Sequence, residues 1–219
     1  MRKTIFANEE YYHVYNRGVE KRDIFSNACD QQRFLQGMVE FNTLDPIGSI
    51  YQNSFRKKTQ LRSSTSKFAD KDALVAIVAY CLNPNHYHFV LQQVADHGVE
   101  KYMQRIGTGY TNYFNNKHER SGGLFQGKFK AIHIDSNEYL LHISAYVNLN
   151  DRVHQLGSSA SQSSWDEYTN GGDFCEKECI LGQFGSVEEY RDFAQNSLQG
   201  IIERRGGMYE QMQEFLLER

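Results

Sequence analysis

The chain has 219 residues, 24 Lys and Arg against 27 Asp and Glu, 40% hydrophobic residues and two prolines, the length of one domain with an appendage or of two small ones. Its longest apolar run, residues 73–82, is half of the ~20 residues a membrane-spanning helix needs, and Met1 to Glu9 holds no apolar signal core, so a soluble, unexported, cytoplasmic protein is expected. The net charge of -3 hides an asymmetry: residues 1–150 carry 18 basic and 14 acidic side chains, a net +4, and residues 151–219 carry 6 and 13, a net -7.

In chain order, Tyr11 to Arg17 is rich in strand formers and stops at Gly18, and Asp30 to Thr43 spaces Phe34, Leu35, Met38, Val39 and Phe41 at helical intervals. Asp45 to Asp72, with Pro46, Gly48, Arg56-Lys57-Lys58 and a serine run, predicts a loop. Ala73 to Leu82 has the composition of a buried strand, Asn83-Pro84-Asn85 is turn chemistry, and His86 to Gln92 completes a hairpin. Val99 to Lys117 has helical spacing, weakened by Gly107 and Gly109. Lys128 to Ile134 alternates as a strand. Asp135 and Glu138 then predict a capping box for a helix over Tyr139 to Leu149. The order β-α-β-β-α-β-α is the ferredoxin-like split βαβ pattern: a four-stranded antiparallel α+β sheet with helices on one face, plus one more helix. After a Ser/Gly/Gln linker at Gly157 to Ser164, the acidic remainder reads as helical. The expected division is a domain at 1–155 and an appendage at 156–219.

Four cysteines in a chain of this length do not make a disulfide framework, and Cys175-x-x-x-Cys179 lacks a second ligand pair for zinc. The segment from Lys101 to Lys130 carries six cations, one acid and six interleaved aromatics, a composition that suits nucleic acid and equally a solvated basic helix face packed through its aromatics. The sharpest local feature is Asn83-Pro84-Asn85-His86-Tyr87-His88. His86 and His88, two apart on a strand, point to one face, where two imidazoles can share one cation and leave it in need of a third ligand.

Four segments together make the chain resemble the single-tyrosine HUH transposases, in particular the REP-associated tyrosine transposases. They are Tyr12-His13-Val14-Tyr15-Asn16-Arg17-Gly18, Pro84-Asn85-His86-Tyr87-His88, Gly122-Gly123-Leu124-Phe125-Gln126-Gly127-Lys128-Phe129-Lys130 and Tyr146-Val147-Asn148-Leu149-Asn150. The resemblance spans about residues 10 to 155. It implies that His86 and His88 bind a divalent metal, Mg²⁺ or Mn²⁺, that Tyr146 is the nucleophile, and that Asn150 is the third metal ligand. Asp151 stands where that family usually has proline. Tyr146 and Asn150, at i and i+4, would share one helix face.

The function so implied is cleavage and rejoining of single-stranded or hairpin DNA through a 5'-phosphotyrosine, by a monomer or homodimer. No nucleotide-binding motif accompanies it. Arg17, Lys117, Arg120, Lys128 and Lys130 are the expected DNA contacts. A domesticated, non-catalytic binder of DNA or RNA hairpins is the alternative, and a metal-dependent phosphodiesterase without a covalent step is a third reading. The resemblance would place His13 and His133 near the site or the DNA, although a satisfied structural histidine is the reading preferred for each. His142, one turn before Tyr146, could orient or deprotonate the phenol but reads as an ordinary exposed or hydrogen-bonded histidine.

Overall fold

The computed structural model describes residues 4–53, 73–156 and 160–215, with side chains described as far as Ile202. Residues 54–72, most of the expected loop, lie outside the described residues. Strand β1 (Tyr11–Arg17), helix α1 (Ala28–Glu40), strands β2 (Val75–Asn83) and β3 (His86–Gln93), helix α2 (Gly98–Lys117), strand β4 (Lys130–Ile134) and helix α3 (Asn137–Asn148) follow in the expected order. A single turn α4 (Asn150–Val153), strand β5 (Gln162–Ser163) and helices α5 (Trp165–Asn170), α6 (Glu178–Leu181) and α7 (Val187–Phe215) complete the chain. Among the described residues no helix is long and apolar enough to cross a membrane.

The sheet is antiparallel with order β4-β1-β3-β2-β5. Alternation gives it two unlike faces. On one, Tyr87 and Phe89 pack against Phe34 of α1 at ring separations of 5.4 and 6.1 Å, and Tyr102, Met103, Ile106 and Tyr110 of α2 extend the same core. Gly98 opens α2 where the chain passes so close to β2 that a Cβ would stand 2.1 Å from the Leu74 carbonyl oxygen. The other face carries His13, Tyr15, His86 and His88, and α3 lies over it through Leu140, Ile143 and Val147.

Four details differ from the sequence expectation, the first being that residues 50–53, inside the expected loop, are helical. The cap of α3 is Ser136, whose Oγ accepts from the Tyr139 N–H at 3.2 Å, so the helix starts one residue later than an Asp135 cap would set it. The helix breaks at Leu149 (φ -110°, ψ 20°) and resumes as α4. The sheet has five strands rather than four, because Gln162 and Ser163, within the expected linker, pair with Leu82 and Cys81. Two residues carry no periodicity for a sequence reading to detect.

The tail also serves the outer edge of β2 beyond β5. The Ser164 N–H donates to the Tyr80 carbonyl at 2.9 Å, and the Tyr80 N–H to Ser164 Oγ at 2.9 Å. The Tyr168 hydroxyl donates to the Val78 carbonyl at 2.9 Å and the Glu176 N–H to the Ile77 carbonyl at 2.8 Å. A register shift between Ile77 and Ala79 accompanies these contacts.

Candidate active site

Strand register builds the site in rows across one sheet face. Asn83 pairs with His86 and His86 with Arg17, and in the next row Cys81 pairs with His88, His88 with Tyr15 and Tyr15 with Lys130. Helix α3 lays Tyr146 over these rows, its ring edge-on to His88 at 5.6 Å and to His13 at 6.2 Å. Just past the Leu149 break, Asn150 brings its Oδ1 to 3.3 Å from His86 Nε2. His86, His88, Tyr146 and Asn150, spread over 65 residues of sequence, thus converge. Tyr146 is 8% exposed, His86 9%, and His88 and Asn150 are fully buried.

Each imidazole is held through its Nδ1. That of His86 lies 2.5 Å from Asn85 Oδ1 and that of His88 lies 2.9 Å from His13 Nε2, with the His13 and His88 rings stacked at 5.2 Å. With Nδ1 as the donor in both, both Nε2 atoms carry lone pairs. His88 Nε2 is buried with no hydrogen-bond partner. Such an orphaned acceptor is costly unless something electropositive meets it. His86 Nε2 and Asn150 Oδ1 face each other at a separation close to the ~3 Å between adjacent oxygen or nitrogen ligands of an octahedral Mg²⁺ or Mn²⁺. Two imidazole nitrogens and one amide oxygen, steadied by neighbours on the far side of each ring, are a donor set that fits a divalent cation. Among the described residues no three His, Cys, Asp or Glu side chains form a cage, and the third donor here is an amide.

Burial is the largest cause lowering the basicity of these rings. His13 and His86 are brought down to about 3, His86 with a further contribution from His154, and His88 well below its ordinary value, with His13 and His86 adding to the effect. All three are therefore neutral at pH 7, the state in which imidazole can ligate.

The expected DNA contacts fall into two groups. Arg17 and Lys130 lie on the sheet face of the imidazoles, Arg17 with its Nε donating to Gln126 Oε1 and Lys130 exposed. Lys128, also exposed, lines a groove with Phe129, Tyr87 and Thr108 on the opposite face. Lys117 is engaged with Asp30, its Nζ 2.6 Å from a fully buried carboxylate. Arg120 lies over the Phe114 ring and donates to Asn115 Oδ1 at 3.1 Å. His142 meets α7, with Nδ1 at 3.1 Å from Ser197 Oγ and its ring 5.1 Å from that of Phe193.

Sequence reasoning missed the involvement of Asn83 and Asn85, which read only as turn formers, and preferred a structural role for His13 over the place near the site that the resemblance also offered. The available signal was their position: Asn83 and Asn85 bracket Pro84 immediately before the first histidine, where short amides reach back to the strand they introduce.

Residues 50–150 match the family model described as "Transposase IS200 like". No curated protein matches the sequence. Among solved structures, one of a REP-associated tyrosine transposase bound to a REP hairpin is similar at 12% identity and a TM-score of 0.46, over 70% of this chain and 73% of that one. The tRNA(His) guanylyltransferase of Saccharomyces cerevisiae is similar at 9% identity and a TM-score of 0.36, over 95% of this chain and 82% of that one.

Proposed function

With residues 50–150 matching the family model described as "Transposase IS200 like", we propose that this chain cleaves and rejoins single DNA strands, with Tyr146 as the nucleophile. One observation carries the reading: three lone-pair atoms, His86 Nε2, His88 Nε2 and Asn150 Oδ1, gather on one sheet face beside the ring of Tyr146. When bound there, a divalent cation supplies Lewis-acid stabilisation of the charge that builds on a non-bridging phosphate oxygen. The chain's own residues do the rest. Tyr146 Oη gives up its proton and bonds to phosphorus, the bond from phosphorus to O3' breaks, and O3' departs as a hydroxyl by taking up one proton, which balances the one the phenol released. The product is a 5'-phosphotyrosine. Because the phosphodiester is conserved in it, a 3'-hydroxyl of another strand can displace Tyr146 without any nucleotide cofactor.

Arg17 and Lys130 flank the imidazole rows and would hold the strand's phosphates as it crosses the site. The substrate class is single-stranded DNA, folded into hairpins at transposon or repeat ends.

The test is adduct trapping. Full-length protein with Mn²⁺ is incubated with a library of hairpin oligonucleotides bearing randomised single-stranded flanks, then run on denaturing gels. The wild-type chain should give a covalent protein-DNA band, and Tyr146→Phe should give none while binding the same DNA. Equal cleavage by Tyr146→Phe would overturn the nucleophile. Binding by wild type without any adduct would favour a non-catalytic hairpin binder.

A further inference from the structure

Asn83 ends β2 in register with His86, and its side chain is fully buried. Its Nδ2 lies 2.6 Å from Asn150 Oδ1 and 2.9 Å from His86 Nε2. Those two acceptors, 3.3 Å apart, repel one another unless a hydrogen or a cation stands between them. The Asn83 amide nitrogen has two hydrogens, enough for one to each acceptor. Its other end is fixed as well: Asn83 Oδ1 accepts from the Cys81 thiol at 3.4 Å, and burial, the first cause, holds that thiol in its protonated, donating form. Nitrogen toward the ligands and oxygen toward the thiol is therefore the orientation in which every contact is complementary.

We propose that Asn83 is a built-in placeholder of the metal site, its amide N–H groups occupying the lone pairs of His86 and Asn150 until a cation displaces them. The inference rests on the reading of His86, His88 and Asn150 as metal ligands. His86 Nε2 has a single lone pair, so a hydrogen-bonded amide and a cation cannot both take it, and an ion bound to it beside Asn150 would stand where Asn83 Nδ2 lies. Entry of the ion requires the Asn83 side chain to turn away and lose both bonds. Without the ion the ligands would thus be held in place, and the affinity for the ion is lowered by the strength of those bonds, about tenfold or more for two of them.

The experiment is Mn²⁺ titration of metal-stripped, full-length protein, with free Mn²⁺ followed by electron paramagnetic resonance and melting recorded with and without the ion. Asn83→Ala should bind Mn²⁺ about tenfold more tightly than wild type and melt lower without it. Asn83→Asp, nearly the same in shape, keeps the decision open should the alanine variant not fold. Its carboxylate meets the two acceptors with oxygen instead of N–H, so the metal-free form should melt lower and Mn²⁺ should bind more tightly still. Weaker binding by Asn83→Ala would make Asn83 a ligand, and unchanged binding in both variants would make it a bystander; either overturns the placeholder. If no form binds Mn²⁺, or if His88→Ala binds as well as wild type, the metal-site reading itself fails, and the placeholder with it.

Discussion

At the scale of single residues, neutral imidazoles buried under a helix make the protein sensitive to acid. The sign follows from where protons bind. The unfolded chain protonates His13, His86 and His88 as the pH drops through about 6.5, whereas in the folded chain His13 and His86 resist down to about 3 and His88 is lowered by burial as well. Above 6.5 these groups leave stability unchanged. Below it the unfolded state gains protons that the folded state refuses, and stability falls by about 1.4 kcal/mol per pH unit for each imidazole. The urea midpoint should accordingly drop between pH 7.5 and 5, and saturating Mn²⁺ at pH 7.5 should raise it. A midpoint indifferent to pH over that range would show that the rings accept protons in place.

At the scale of elements, the tail holds the helix that carries Tyr146. Between Tyr146 and Asn150 lies Asn148, fully buried, whose Nδ2 donates to the Tyr190 hydroxyl at 2.9 Å and whose backbone carbonyl accepts from Ser163 Oγ at 2.9 Å. Tyr190→Phe leaves the Asn148 amide with a lost acceptor inside the protein. It should cost about 1–3 kcal/mol and, by loosening α3, reduce adduct yield more than DNA binding. Melting curves and trapping on the same variant separate the two effects. Much of this architecture was legible in the sequence: β1 spans the expected residues, the hairpin and α2 fall within two residues of expectation, and period-2 spacing put His86 and His88 on one face. The unreadable parts are long-range partnerships. His13 meets His88 across 75 residues and Asn83 meets Asn150 across 67, and local pattern carries no information about which distant side chain arrives.

Over the whole molecule, the basic front proves to be divided by the sheet. Arg17 and Lys130 share the face of the imidazoles, and Lys117 is held on the far side by Asp30. Burial works against the Asp30 charge, yet the hydrogen bonds from Lys117, the Ser26 N–H and the Tyr113 hydroxyl hold its carboxyl below the usual range. Replacing Arg17 and Lys130 together by Gln should flatten the slope of log K against log salt for single-stranded DNA by about 1.4, at about 0.7 per phosphate contact. Lys117→Met should leave that slope alone and instead destabilise the fold by about 2 kcal/mol, a figure kept modest because the lysine side chain is 31% exposed. Salt titrations and urea melts on the two variants distinguish a phosphate contact from an internal strut. The peptide groups along the outer rim of β2 lead to a different property, colloidal behaviour. Residues 162–176 take up the carbonyls or N–H groups of Ile77, Val78, Tyr80, Cys81 and Leu82. A chain ending at residue 161 would present that rim as an unpaired strand rich in β-branched residues, the template on which another copy can add its own strand. Such a truncated chain should elute as concentration-dependent oligomers while full-length protein at the same concentration does not, so proteolytic trimming of the acidic tail would convert a self-contained sheet into an adhesive one.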